Sequence, residues 1–520
     1  MEHYKVQVRR FIAIVGLGFL LAYFGACAQL DPRPALPEEQ ALAIADDTPL
    51  DRATAPFEAR YPDQSAFRLV VEGTEAFAVR AQTARMAQRS IDVQSYIWHA
   101  DLTGMYFANE LLRAADRGVK VRVLLDDVDA RRNNDAIAAL SAHPNIEIRT
   151  FNPFASRSGT FSLIAEGLSS FSRINRRMHN KSWIADNRLA VVGGRNIGDE
   201  YFSASDEVNF VDLDFAMVGP IVRQASASFD EYWNSSSAYP MEVLDPDKVS
   251  IDALNRLRPK LAAHAAKAEQ SPYSQALREN DAIQRMIGGD WPMQWAHKYQ
   301  FVADDPNKVT MKERDANRAQ VATALVPLAQ AAQSRLSIIS PYFVPGDRGT
   351  EVLTGAARSE RSVRVLTNSL VANDVAAVHG GYSRYREPLL SAGVQLWELK
   401  PLTDGKKESS FFGSSGASLH TKALAVDGRA LFVGSYNLDP RSAWLNCEQG
   451  VLVENDELAL QLEQIFQKET DGAYAWRVSL EEGKLSWSDG KERLSKEPDA
   501  SLGRRFQAWF ARTFHLDAQL

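Results

Sequence analysis

Residues 176 to 202 read RRMHNKSWIADNRLAVVGGRNIGDEYF, and residues 418 to 438 read SLHTKALAVDGRALFVGSYNL. Both fit one template, H-x-K-x4-D-x6-G-x-x-N, and His420 follows His179 by 241 residues. The first copy supplies His179, Lys181, Asp186, Gly193 and Asn196; the second supplies His420, Lys422, Asp427, Gly434 and Asn437. At average residue usage, five fixed positions should match by accident on the order of 10⁻⁴ times in a chain this long. Two such matches mark a duplication.

The duplication extends outward from the motifs. GTEAFAVRAQTARMAQRS (73–90) reads as a helix, IDVQSYIW (91–98) as an alternating strand, GMYFANELLRAADRG (104–118) as a helix and VKVRVLLDD (119–127) as an apolar strand. ATALVPLAQAAQSR, LSIISPYFV, GTEVLTGAARSE and SVRVLTNSL repeat that order from residue 322 onward, and PNIEIRTFNPF has its counterpart in AGVQLWELKP. Helices alternating with β-branched runs predict an α/β protein, each half layered around a largely buried sheet. Two copies predict a pseudo-twofold pair, with domains at 66–240 and 291–475, a connector of polar helices at 241–290 and a tail at 476–520.

A sequence of 520 residues with 45% hydrophobic and 24% charged residues describes a globular protein with a large core. Its formal charge of −7 argues against one that holds nucleic acid by a global positive field. Lys5, Arg9 and Arg10 precede the apolar run FIAIVGLGFLLAYFGA (11–26), the pattern of an export signal. FGAC places small residues before Cys27, as in a lipidated signal, while ACA also fits plain cleavage, so Cys27 is either a lipidation site or a bystander. The Pro- and Asp-rich stretch 28–65 suits a tether. Cys447 is the one other cysteine and reads as a small buried residue.

The chemistry follows from the spacing. In a strand, residues i and i+2 share a face, so H-x-K presents an imidazole and an ammonium together. Asp186 and Asp427, each followed by a turn-forming residue, read as structural acids that hold the turn and the lysine. In VVGGRN and FVGSYN, backbone N–H groups near Gly194, the Ser435 hydroxyl and the amides of Asn196 and Asn437 can approach an anion. Imidazole, lysine, amide and glycine-rich backbone together describe a phosphate site with no metal and no cofactor, since no ligand set with metal spacing accompanies them. One motif is half a site. Two related by a pseudo-dyad place two histidines on opposite sides of one phosphorus, one attacking and the other carrying protons. Each imidazole wants a carboxylate on its far nitrogen; Asp212 downstream of His179 and Glu448 downstream of His420 are the candidates, against the alternative that both are ordinary strand-end acids.

The duplicated H-x-K-x4-D motif resembles that of the phospholipase D superfamily. NRRMHNKSWIADNRLAVVGGRNIGDEYF, LTNSLVANDVAAVHGGYSRYREPLLSAGVQLWELKP and GSSGASLHTKALAVDGRALFVGSYNLDPRSAWLNCEQG resemble its bacterial cardiolipin synthases of the C type, over about 66–490. The resemblance implies two phospholipase D-type α/β/α domains sharing one active site. It also implies transfer of a phosphatidyl group from phosphatidylethanolamine to phosphatidylglycerol through a phosphohistidine, with His179 as nucleophile and His420 as acid and base. Such an enzyme sits at the bacterial cell envelope, works as a monomer with an internal pseudo-dimer, and takes phospholipids rather than nucleic acid. A hydrolase using water as acceptor, or a nuclease, shares the same motif chemistry; water exclusion and acceptor contacts separate the first, and salt-sensitive DNA binding the second.

Two further stretches bear on a membrane. Arg173, Arg176 and Arg177 stand just before His179, where they could hold anionic headgroups or form a solvated loop. LGRRFQAWFARTF sets Leu502, Phe506, Trp509, Phe510 and Phe514 on one helical face, which fits an interfacial helix or a cap on the protein's own core.

Overall fold

A computed structural model describes residues 33–155, 171–280, 291–311, 314–373, 375–401 and 419–513, with Leu30, residues 284–285, 409–410 and 413–414. The export signal, Cys27 and Phe514 lie outside the described residues.

The first sheet contains β1 (Ser65–Val70), β2 (Ser90–Ser95), β3 (Lys120–Asp126), β4 (Ile146–Phe151), β5 (Ser182–Ala185), β6 (Leu189–Gly193), β7 (Asp214–Val218), β8 (Ala238–Pro240) and β9 (Gln294–Ala296), in the order β8-β4-β3-β2-β5-β6-β7-β1-β9. Strands β2, β3 and β4 run parallel, joined by crossover helices, and the remaining pairs are antiparallel. The second sheet contains β10 (Lys298–Ala303), β11 (Arg335–Ile339), β12 (Ser362–Asn368) and β13 (Gln395–Leu399). After a small ribbon, β14 (Ser409–Ser410) and β15 (Gly413–Ser414), it continues with β16 (Ala423–Val426), β17 (Ala430–Gly434), β18 (Gln449–Glu454), β19 (Ala475–Glu481), β20 (Lys484–Ser488) and β21 (Arg493–Leu494). Its order, β10-β18-β17-β16-β11-β12-β13-β19-β20-β21, places β11, β16, β17 and β18 where the first sheet has β2, β5, β6 and β7. The repeat is thus a repeat of topology, with the motif strands β5 and β16 at the centre of each sheet.

The described helices that matter to the site are α1 (Pro49–Arg60), α2 (Gly73–Met86), α3 (Leu102–Asp116), α4 (Pro220–Asn234), α5 (Ile251–Glu269), α6 (Gln320–Gln330), α7 (Gly346–Arg358), α8 (Ala376–Ser383), α9 (Pro440–Trp444), α10 (Asp456–Glu469) and α11 (Leu502–Thr513). Helices α2 and α3 cover one face of the first sheet through Phe77, Phe107 and Leu111, while α6 and α7 cover the second through Val321, Leu325 and Leu353. The faces between the halves, with α4 and α10, share one core that runs from Phe215, Phe229 and Trp233 to Val433, Val451 and Phe466. Burial of that continuous apolar surface joins the halves into one body.

Three boundaries differ from those read off the sequence. The stretch 33–65 is not a free tether: Thr48 caps α1 with a reciprocal bond to Asp51, and the buried Asp51 carboxylate receives the guanidinium groups of Arg89 and Arg188. Those two arginines outweigh burial and hold Asp51 well below the usual carboxylate range. The connector helix α5 is polar outside but buries Leu254, Leu261 and Ala265 in the first half's core, and β9, counted with the second repeat, pairs with β1. Strands β19 to β21 extend the second sheet into the tail because Trp476, Val478 and Trp487 complete its apolar layer.

Candidate active site

The halves are hydrogen-bonded to each other at the two histidines. The His179 N–H donates to the Cys447 carbonyl at 2.8 Å, and the Cys447 N–H donates to the Arg177 carbonyl at 2.9 Å. In the matching place, the His420 and Thr421 N–H groups donate to the Val211 carbonyl at 2.8 and 3.1 Å. Each motif is thereby stitched to the segment that precedes the other half's orienting carboxylate.

The carboxylates therefore cross over. His179 Nδ1 lies 2.9 Å from Glu448 Oε2 and 3.1 Å from the Ser435 carbonyl. His420 Nδ1 lies 2.6 Å from Asp212 Oδ2. Asp212 and Glu448, expected as orienting acids, each contact the histidine of the opposite half. A carbonyl and a carboxylate offer His179 Nδ1 only lone pairs, so that nitrogen carries the proton and Nε2 keeps its own lone pair. Burial, with the cations Lys181 and Lys422 nearby, outweighs Glu448 and lowers His179 to about 4. Burial, then Lys422, lowers His420 to about 3 against the pull of Asp212. Burial raises both carboxylates, but the histidine and lysine partners outweigh it and hold Asp212 and Glu448 below their ordinary values. At neutral pH the site holds two neutral imidazoles, two carboxylates and two lysines.

The lysines sit as the alternation requires. Lys181 Nζ donates to the His179 carbonyl at 2.5 Å, and Lys422 Nζ makes the same bond to the His420 carbonyl. Burial lowers Lys181 well below the ordinary lysine value, and Lys422 adds to that shift across the site. The motif acids, expected to hold the turn and the lysine, hold backbone N–H groups at the strand entries. Asp186 accepts from the backbone N–H groups of Gln88, Arg89 and Ser90, and Asp427 from those of Gln333, Ser334 and Arg335. Each one fixes the entry into the central strand, β2 or β11, from a left-handed turn with φ of 51° or 54°.

Three of the four residues expected at the phosphate take other partners. The Gly194 N–H donates to the Leu213 carbonyl, and a Cβ on Gly194 would lie 2.1 Å from Asp212 Oδ1, so this glycine makes room for the carboxylate. The Ser435 hydroxyl donates to Glu448 and accepts from the Gln449 N–H, because it is buried beside them with no surface of its own. Asn196 accepts from the Ile97 N–H and donates to the Tyr201 hydroxyl. Asn437 receives no bond at its buried Oδ1 among the described residues, and its N–H donates to Ser442. The Ser442 hydroxyl in turn donates to Glu448 Oε1 at 2.8 Å.

The basic stretch before His179 is built into the fold. Arg177 is buried against Asp126 at 3.3 Å, Arg173 donates to Asn152 and the Pro153 carbonyl, and Arg176 donates to the Lys308 carbonyl. Cys447 is buried and free, as expected, and burial pushes its thiol up to about 12.

Aromatic rings also line the imidazoles. Tyr96 meets His179 edge-on at 5.0 Å and stands beneath Lys181 Nζ at 5.2 Å. Tyr201 meets His420 edge-on at 5.2 Å, and Phe210 stacks on it at 5.5 Å. Tyr96 directly follows the strand IDVQS, and Phe210 stands two residues before Asp212; those positions are the signal that could have found them.

Known proteins show the same architecture. The family described as "Cardiolipin synthase, PLD-like domain" matches residues 81–233 and 325–470, one match per half. Cardiolipin synthase C of Escherichia coli (strain K12) is 38% identical over 474 residues, covering 88% of this chain and 96% of that protein. An uncharacterized protein of Helicobacter pylori (strain J99) is 32% identical, covering 85% of this chain and 87% of its own length. A phosphatidylserine synthase of Haemophilus influenzae Rd KW20 superposes with a TM-score of 0.56 at 14% identity, over 91% of this chain and 100% of its own, a likeness of fold.

Proposed function

This chain belongs to the cardiolipin synthase family of phospholipase D-like phosphatidyltransferases, and on that premise we propose that it makes cardiolipin by a two-histidine, phosphohistidine mechanism. The observation that carries the mechanism is the crossed pair of histidine–carboxylate contacts, His179 with Glu448 and His420 with Asp212. Neither half can act alone, since each lacks the acid its histidine needs.

The donor phosphodiester binds between Lys181 and Lys422. His179 Nε2, its lone pair exposed by the proton fixed on Nδ1, attacks phosphorus, and the P–O bond to the headgroup breaks. In the donor complex, where the bound phosphodiester adds its negative charge to that of Asp212, His420 is the imidazolium, and it passes its Nε2 proton to the leaving alkoxide. The acceptor is a primary hydroxyl of phosphatidylglycerol: His420 takes its proton, its oxygen attacks phosphorus, and the P–N bond to His179 breaks. Phosphatidylethanolamine is the donor implied by the C-type likeness. The assignment of His179 as nucleophile is supported by the asymmetry of the site. Glu448 is held by two hydroxyls besides the imidazole, whereas Asp212 receives His420 and the N–H of Leu213. A carboxylate fixed by further donors suits the tautomer of a nucleophile, and one with fewer donors suits a histidine that must gain and lose a proton. The two lysines supply positive charge at the phosphate, so the mechanism uses no metal.

Detergent-solubilised protein given phosphatidylglycerol, with and without phosphatidylethanolamine, tests the reaction. Cardiolipin that increases with phosphatidylethanolamine is the expected product. Phosphatidic acid in its place would make water the acceptor and the chain a hydrolase.

A further inference from the structure

Helix α11 presents two unlike faces. Ala508 and Ala511 are buried against α8, and the contact is so close that a Cβ on Gly380 would lie 2.4 Å from the Ala508 carbonyl oxygen. On the outer side, Leu502 is 84% exposed, Phe506 61%, Trp509 56% and Phe510 43%. The helix therefore does cap the body, but with its small residues, and its large apolar side chains face outward. Isolated surface apolar residues are ordinary, whereas four on one face of one helix form a patch. The same helix carries Arg504, Arg505 and Arg512 and no acid, inside a chain whose formal charge is −7.

The position of the helix ties it to the catalytic mouth. Arg504 donates to the carbonyls of Leu370 and Asn373, which follow directly from the C-terminal end of β12. At that end, Asn368 brackets Leu419, the residue before His420: its Nδ2 donates to the Leu419 carbonyl at 3.1 Å and its Oδ1 accepts from the Leu419 N–H. The helix is thus fastened to the loop after β12, the strand whose last residue holds the neighbour of His420. Val375, 40% exposed, adds an apolar side chain at the start of α8 beside it.

We propose that the outer face of α11, Leu502, Phe506, Trp509 and Phe510, is a docking surface that enters the headgroup–acyl boundary of a bilayer containing anionic phospholipid. The aromatic and aliphatic side chains supply the apolar insertion, and the exposed Arg512 matches the negative surface. Trp and Phe beside Arg are the residues that settle at that depth. The inference rests on the lipid-transferase reading, and it adds how the mouth is brought to the membrane that holds both substrates. A second copy or another protein covering the same face would also hide it, but the exposed Arg512 beside the apolar stripe, on a helix without an acid, favours the anionic lipid surface.

The test uses the full chain with Cys27→Ser and Phe506→Cys, the latter carrying an environment-sensitive fluorophore; the remaining Cys447 is buried. In vesicles of phosphatidylcholine with phosphatidylethanolamine and phosphatidylglycerol, emission should shift to the blue and be quenched by lipids brominated on the acyl chain. A label that stays in water on those vesicles overturns the docking surface. Measuring phosphatidyl transfer in the same sample shows independently whether the functional reading stands. A label that responds only to raised protein concentration in detergent would assign the face to a second copy and equally overturn the proposal. Unlabelled Phe506→Ser/Trp509→Ser should lose roughly tenfold or more in transfer on vesicles while keeping its rate on short-chain lipid dissolved as monomers. Equal losses on both substrates would also overturn it.

Discussion

In the proposed mechanism Glu448 and Asp212 act through the imidazoles, so their removal should disable transfer without unfolding the chain. Glu448→Gln leaves a group of the same size on His179 but permits the wrong tautomer; transfer should fall by about 10²–10⁴-fold with an unchanged circular dichroism spectrum. Asp212→Asn should do the same through His420. Gly194→Ala tests the packing of the pair, because its Cβ would displace Asp212; a large loss of kcat with little change in KM is expected. The motif residues were legible in the sequence because histidine, lysine, aspartate, glycine and asparagine lie within one strand–turn–strand unit, where period and turn chemistry fix their places. Their partners were less legible. Nothing local says that Glu448 serves His179 across the interface, or that Ser435 and Gly194 serve the carboxylates rather than the phosphate. The first role depends on how two halves meet, and the second on the pairing of neighbouring strands, β6 with β7 and β17 with β18, inside each half.

Asp186 and Asp427 show how one element is set by another. Each carboxylate satisfies three backbone N–H groups at the entry to a central strand, and Asp tolerates the left-handed conformation there. Asp186→Ala should cost about 2–4 kcal/mol in thermal or chemical denaturation by leaving those donors unpaired, and Asp186→Asn should cost less. The alternating strands and covering helices were readable from periodicity. Helix α1 was not, because Pro49, Pro56 and its acids resemble a tether; yet Thr48 and Asp51 form a capping pair, and the burial of Asp51 depends on distant Arg89 and Arg188. The sheet-extending strands β19 to β21 were missed for a similar reason, since the edge they join is made by residues far earlier in the chain.

Across the whole molecule, the two half-sites couple stability to pH. Both histidines titrate below the ordinary value of 6.5, at about 4 and about 3. Above 6.5 the folded and unfolded forms are both neutral there, and the histidines add no pH dependence. As pH falls from 6.5 toward 3, the unfolded chain binds protons that the folded site refuses, and stability declines. The carboxylates held low add to the loss as pH passes through their unfolded values. A melting temperature that drops steadily from pH 7 to pH 4, with a shallower slope in His420→Asn, is the expected result; equal slopes would place the acid sensitivity elsewhere. The pseudo-twofold plan was visible in the duplicated motif, while the strand-level joining of the halves at Cys447 and Val211 appears only once both are folded. The central claim, that one histidine carries the phosphatidyl group while the other moves protons, has a direct measurement. His420→Ala protein is mixed with a phosphatidyl donor whose leaving group needs no proton, phosphatidyl-p-nitrophenol, digested without acid and examined by peptide mass spectrometry. The account predicts phosphatidyl on the peptide containing His179 and none in the Glu448→Gln/His420→Ala double variant, whereas full transfer activity in His420→Ala, or a modified residue other than His179, would contradict it.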